Sequence, residues 1–434
     1  MLLNSQIKFP LILLVTLCVG ACGKPETVEM SDAEKLSKAA QAYVHLGLEL
    51  GQYDKDYVDA YLGPKEWKEQ AASPRAKEQL VIDISSVLSD LEGLSFTDHD
   101  IYVRHKALFR NVRAMDVRAR MINGETFSFA DEARLIYDAT IPKYDLADFD
   151  QILQEISTLL PGEEDLATRV ETFRNSMTIP HELVEKVVDV AIQECRARSK
   201  SYIAMPEDES FTLEYVTGKN WSGYNWYQGQ STSLMQINQD FPMVIDRAID
   251  LGCHEGYPGH HVWNVLIEQD LVKTKGWVEF TLYPLFSPYG LIAEGSANYG
   301  IELAFPGLQK TQFSQAELYP LAGLDPTKAE LLNTLNGLLA KLKHAEIANA
   351  QSYLDGDISR EETVKRVIKY AMVSPERAQQ RVRFIEQYRA YVLNYSLGKD
   401  IVANYIERNS DTPEQRWDNF KKLLTELSTA SDML

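Results

Sequence analysis

Three of the eight histidines in the chain fall between positions 254 and 261, in the run His254-Glu255-Gly256-Tyr257-Pro258-Gly259-His260-His261. A cluster of imidazoles beside a carboxylate is the composition of a metal site. In the common zinc-peptidase pattern, two histidines four residues apart share one helical face, and the intervening glutamate acts on water. This run departs from that spacing. His254 and His260 are separated by about 240° on a regular helix, so they can share a metal only if the helix is interrupted. Pro258 lacks the N–H that would bond the carbonyl of His254, and Gly256 and Gly259 accept backbone angles that other residues resist. A bulged helix is therefore expected. His261 returns nearly to the face of His254 but lies about 10 Å further along an unbroken helix, which makes it a reserve ligand or a group behind the ligands. A structural zinc site would be closed by four protein ligands and rich in cysteine. Glu255 beside His254 has an obvious use where water is activated.

The run, followed by Glu294-Gly-Ser-Ala-Asn298-Tyr299, resembles the bacterial family catalogued as domain of unknown function eight-eight-five, which is grouped with the gluzincin zinc metallopeptidases. The resemblance extends over most of the mature chain and includes Leu160-Pro161-Gly162 and Tyr395-Ser-Leu-Gly398. It implies that His254 and His260 are imidazole ligands of Zn2+, Glu294 is the carboxylate ligand from a following helix, and Glu255 is the general base. An open metal position then holds water, whose pKa zinc lowers to about 7. Tyr395 is the candidate oxyanion stabiliser on the same resemblance. Asn298, four residues after Glu294, shares its helical face and is placed to hold a ligand imidazole. Relatives often carry an acid there.

The elements that must position these groups are mainly helical. Ser31 with Glu34 forms a capping-box signal before apolar positions at helical spacing, Leu36, Ala39, Ala40, Tyr43, Leu46 and Leu50. Similar patterns cover 76–91, 100–122, 129–137, 149–160, 165–177 and 180–200, separated by breakers such as Gly63-Pro64 and Asn123-Gly124. Residues 31–200 read as an N-terminal helical lobe and 201–434 as a metal-binding catalytic lobe. The β-branched and aromatic runs 211–217 and 231–237 predict a small sheet next to the metal-binding helix. By analogy with zinc peptidases, 231–237 is the edge strand that pairs with an extended peptide. The aromatic run from Trp221 to Tyr227 suits a packed hairpin or a substrate wall. Further helices are expected over 327–354, 361–372, 375–395 and 413–427. The fold class is a mainly α, helical zinc-metallopeptidase-like body.

The 434 residues carry a formal charge of -19, spread along the chain, which argues against nucleic acid as a partner. Lys8 precedes the apolar run 9–19, too short for a permanent membrane span, and Val19-Gly20-Ala21-Cys22 resembles a bacterial lipobox. Residues 1–22 read as a lipoprotein signal peptide, with lipid on Cys22, and 23–30 as a tether. Gly23 and Lys24 after Cys22 resemble the sorting pattern for the outer membrane, with the body facing the periplasm. Cys195 and Cys253 remain in the mature chain, and the sequence leaves open whether they are bridged. The reading is a zinc-dependent hydrolase of amide bonds in peptides or another small amide, attached to the cell envelope. Alternatives are a hydrolase of a non-peptide envelope amide or ester, and a binding or scaffold protein with an inert site.

Overall fold

A computed structural model of the chain describes residues 30–219, 221–240 and 242–434. The signal peptide, Cys22 and nearly all of the expected tether lie outside the described residues. Among the described residues, no helix is long and apolar enough to cross a membrane. Helices account for 67% of the structure and strands for 7%, so the fold is mainly α.

The first helix, Asp32–Tyr53, starts where its cap dictates. Ser31 accepts from the Glu34 backbone, Glu34 accepts from the Ser31 backbone, and Leu36, Ala40, Tyr43 and Leu50 turn into the core. The helices Lys77–Glu92, His99–Ile122, Phe129–Ile136, Leu146–Leu159, Leu166–Asn175 and Val184–Lys200 then follow, within a few residues of the periodic segments. One buried cluster runs from Leu36 to Met433 and joins both ends of the chain.

Two small sheets are built into this helical body. Strand β1 (Val58–Tyr61), which no periodicity announces, pairs antiparallel with a later strand, Leu282–Pro284. The second sheet contains β2 (Ser210–Val216), β3 (Gly223–Gly229) and β4 (Thr232–Asn238), in the order β2-β4-β3. β4 runs parallel to β2 and antiparallel to β3, and a two-residue turn with Gln230 and Ser231 at positive φ closes the β3–β4 hairpin. This corrects the edge-strand expectation for 231–237. Both sides of β4 are already paired, while β3 is an edge strand. The strand Leu282–Pro284 is β5.

The metal-binding segment is broken more sharply than a bulge. The helix Asp246–Leu251 passes into a π-helical turn, Gly252–Gly256, and then a non-helical bend with a cis Tyr257–Pro258 bond, before the helix His260–Ile267 starts afresh. The helix Pro288–Ala304 carries Glu294, and Ser287 caps its start. The expected helix over 327–354 divides into Ala329–Leu342 and His344–Leu354. The expected helix over 375–395 also divides, at Arg389, into Pro375–Tyr388, a 3-10 turn Arg389–Val392 and the helix Leu393–Arg408. Arg389 adopts φ 51°, a conformation disfavoured for a residue with a Cβ, and its guanidinium bonds the buried Glu132 at 2.6 Å. A tertiary ion pair thus overrides a continuous helical pattern.

Candidate metal centre

Gly259 is where the break becomes a site. A Cβ on this residue would lie 1.8 Å from the carbonyl oxygen of His254, so only glycine lets the chain fold back against the π-helical turn. The fold-back sets the His254 and His260 rings 4.7 Å apart and nearly perpendicular. A second close approach brings Glu294 to them. Cβ atoms on Gly295 and Gly398 would lie 2.4 Å from the Gly398 carbonyl and 2.9 Å from the Leu291 carbonyl respectively, so the Glu294 helix and the helix Leu393–Arg408 meet backbone to backbone.

Donor atoms of His254, His260 and Glu294 all lie within 4.8 Å of one another. His254 Nε2 stands 3.4 Å from Glu294 Oε2, and His260 Nε2 stands 3.9 Å from Oε1. Among the described residues Oε2 is buried with no well-formed hydrogen bond, His254 Nε2 at 3.4 Å being its nearest basic group, whereas Oε1 accepts the Tyr391 hydroxyl at 3.0 Å. A buried carboxylate oxygen left that way is costly. Three donors converging around it fit a divalent cation such as zinc. Burial first, and then the neighbouring His254, lowers the His260 pKa to about 4, which keeps that imidazole neutral and able to ligate.

Glu255 is 7% exposed, and its carboxylate accepts no hydrogen bond among the described residues; its backbone carbonyl accepts from Asn225 at 2.6 Å. Burial pushes its pKa up to about 7, with the Glu294 charge adding to the rise and His254 opposing it. Gly223, at the start of β3, borders this side chain: a Cβ there would lie 2.8 Å from Leu251 Cδ2 and in ordinary contact with Glu255 Oε1, at 3.6 Å.

Other sequence expectations meet different fates. His261 is fully buried on the opposite side, bonded to Ser233 Oγ at 2.8 Å and to Glu209 at 3.1 Å. It is not among the converging donors, because it follows His260 on the same helix and so points about 100° away from it. Glu209 also accepts from Tyr257 at 2.7 Å and Lys200 at 2.8 Å, and pairs with Arg196. Burial would raise this carboxyl, but His261, Lys200, Tyr257 and Arg196 together hold it well below the usual range. The bend between the two imidazoles is therefore pinned from behind. Asn298 does not reach an imidazole. Its amide bonds the Glu294 carbonyl at 2.9 Å and the Tyr395 carbonyl at 3.4 Å, the local competition that a short polar side chain favours.

Tyr395 is 38% exposed and stacks edge-on against Tyr391, ring centroids 5.7 Å apart. The hydroxyl on Glu294 belongs to Tyr391, one turn earlier, which sequence reasoning passed over although its spacing from Tyr395 offered a hint. Burial and the Glu294 charge raise the Tyr391 pKa well above the ordinary value, so it remains a donor. Asp59 is also new to the site, hydrogen-bonded to Tyr224 of the aromatic run Trp221 to Tyr227. Behind the π-helical turn, Cys253 is joined to Cys195 by a disulfide with Cα atoms 5.4 Å apart, which settles the open pairing.

No protein-family model and no curated protein sequence matches the chain. Among solved structures, the fold is similar to that of a candidate lipoprotein from Colwellia psychrerythraea, with a TM-score of 0.50 and 14% identity over 83% of this chain and 62% of the other. This chain therefore spans less than two thirds of that protein. A candidate lipoprotein of unknown function from Shewanella oneidensis aligns with a TM-score of 0.49 and 13% identity over 82% of this chain and 71% of its own. At this identity, the likeness to the Colwellia protein concerns the fold.

Proposed function

We propose that this protein is a zinc-dependent hydrolase of amide bonds, of the gluzincin kind that its motifs resemble, acting on peptides at the bacterial cell envelope. The observation that carries the reading is the convergence of His254, His260 and Glu294 around a buried carboxylate oxygen with no well-formed hydrogen bond, with Glu255 alongside. His254, His260 and Glu294 would hold the metal. Zinc, when bound, lowers the pKa of water and polarises a carbonyl. Glu255 takes a proton from the attacking water and returns it to the leaving amine. Tyr391 fixes the Glu294 carboxylate through Oε1. Tyr395, partly exposed beside Tyr391, would donate to the oxygen that gains charge. The edge of β3, next to Glu255, offers an extended peptide a strand to pair with. Attachment through lipid on Cys22 is supported by the lipobox and by the likeness in fold to the candidate lipoprotein from Colwellia psychrerythraea.

The test is metal content together with amine release from a mixed peptide library, using protein lacking residues 1–22 with Glu255→Gln in parallel. The expected outcome is near one zinc per chain in both proteins, with cleavage reduced by about a thousandfold or more in the variant. Zinc without cleavage in either protein would redirect the search to non-peptide envelope amides and esters. Protein that takes up no zinc would sink the reading.

A further inference from the structure

Asp59 is an acid of this cleft that the hydrolytic reading leaves without a role. It lies where β1 slips against β5: Val58 opposes Pro284 and Ala60 opposes Tyr283, so Asp59 is the extra residue of a bulge. Bulges beside active sites re-aim a side chain. Asp59 Oδ1 accepts the hydroxyl of Tyr224, the residue after Gly223, whose backbone borders the Glu255 carboxylate. Tyr224 in turn packs against Trp226 and Trp221, ring centroids 4.7 and 5.7 Å away. Asp59 is the exposed residue of its strand; desolvation by the protein around it and the Glu294 charge raise its pKa, opposed by Tyr224, and Asp59 contributes to the raised values of Glu255 and Tyr388.

Three carboxylates thus act on one another beside the candidate metal centre. Glu294 has the metal, and Glu255 has the proton to move. Asp59 has no Lys, Arg or His partner among the described residues. Arg247 acts on Glu255 and His254, and it stands 4.0 Å from Asp250. A divalent cation against three carboxylates leaves one negative charge over. Glu255, buried and without a hydrogen bond on its carboxylate, also points to a ligand in this space.

We infer that Asp59 receives an ammonium group of the substrate, with Tyr224 fixing its carboxylate and with Tyr224 and Tyr388 offering aromatic faces beside it. The inference rests on the hydrolase reading for its substrate. An ammonium group comes from the N-terminus of a peptide, which would make the enzyme an aminopeptidase, or from a lysine side chain.

The experiment is calorimetric titration of the full-length protein in detergent with one short peptide in four forms. Its N-terminus is free or acetylated, and its single lysine is kept or replaced by norleucine. Removal of one of the two ammonium groups is expected to weaken binding about threefold, the equivalent of a single exposed ion pair. Loss on acetylation assigns the N-terminus, and loss with norleucine assigns the side chain. Asp59→Asn is expected to erase the difference while zinc content is kept. If that variant does not fold, Tyr224→Phe, which removes only the hydrogen bond to Asp59, is expected to shrink it. Equal binding of all four peptides to the wild-type protein, or no binding of any, overturns the inference. Since binding is read without turnover, an absence of cleavage would count against the hydrolase reading alone.

Discussion

Glu294 divides its two oxygens between different tasks. Oε1 is held by Tyr391 at 3.0 Å, and Oε2 is left for whatever His254 and His260 also face. A carboxylate ligand fixed by one hydroxyl should bind metal more tightly than one free to rotate. Tyr391→Phe keeps the packed ring and removes only this donor. It is expected to lower zinc affinity by about tenfold, read by competition with a chromogenic chelator, with the circular dichroism spectrum unchanged. Unchanged affinity would show that packing alone orients Glu294. His254, Glu255, His260 and Glu294 were legible in the sequence because two short motifs carry them all. Tyr391 and Asp59 were not, since each reaches the site from a remote element and nothing local distinguishes it from other tyrosines and aspartates, while Tyr224 was legible only as one member of the aromatic run Trp221 to Tyr227. Asn298 was placed on the correct helical face, but a face does not tell whether an amide will turn to a side chain or to its own backbone.

At the scale of elements, glycines set the distances. Gly259 permits the fold-back onto the His254 carbonyl, and Gly295 with Gly398 permits the contact between the Glu294 helix and its neighbour. Gly259→Ala places a Cβ 1.8 Å from a backbone oxygen, a clash that no rotamer relieves. The expected outcome is loss of zinc binding with much of the helical signal retained, because the disturbance falls on the bend between the two imidazoles. Zinc uptake at the wild-type level in this variant would mean that the bend does not set the site. Most helices were readable from periodicity and caps, as with Ser31 and Glu34. The break at Arg389 was hidden because its cause, Glu132, lies 257 positions away. The same separation in sequence concealed β1, which exists through its pairing with β5.

Across the whole molecule, the C-terminus is clasped to the helix His99–Ile122. Asp432 accepts from Arg110 at 2.5 Å and from Lys106. Burial would raise the Asp432 pKa, but Arg110 and then Lys106 outweigh it and hold it at about 2. A carboxyl depressed in the folded state adds stability above its unfolded pKa of about 3.9, and that stability is lost as pH falls toward about 2. Asp432→Asn is expected to cost about 1–2 kcal/mol at pH 7 in urea titrations, and to flatten the decline of stability below pH 4. An unaltered acid slope would remove the clasp from the account. The disulfide carries a different consequence, one of maturation. Cys253 immediately precedes His254, so the bridge to Cys195 immobilises the backbone from which a proposed ligand projects. If zinc binds as proposed, a chain oxidised before it is loaded offers the metal a backbone already fixed. Cys195→Ala with Cys253→Ala is expected to cost about 2–4 kcal/mol of stability and to speed zinc loss to a chelator. On the proposed reading, reduced and oxidised forms of the same mature chain would differ in how long they keep a bound zinc.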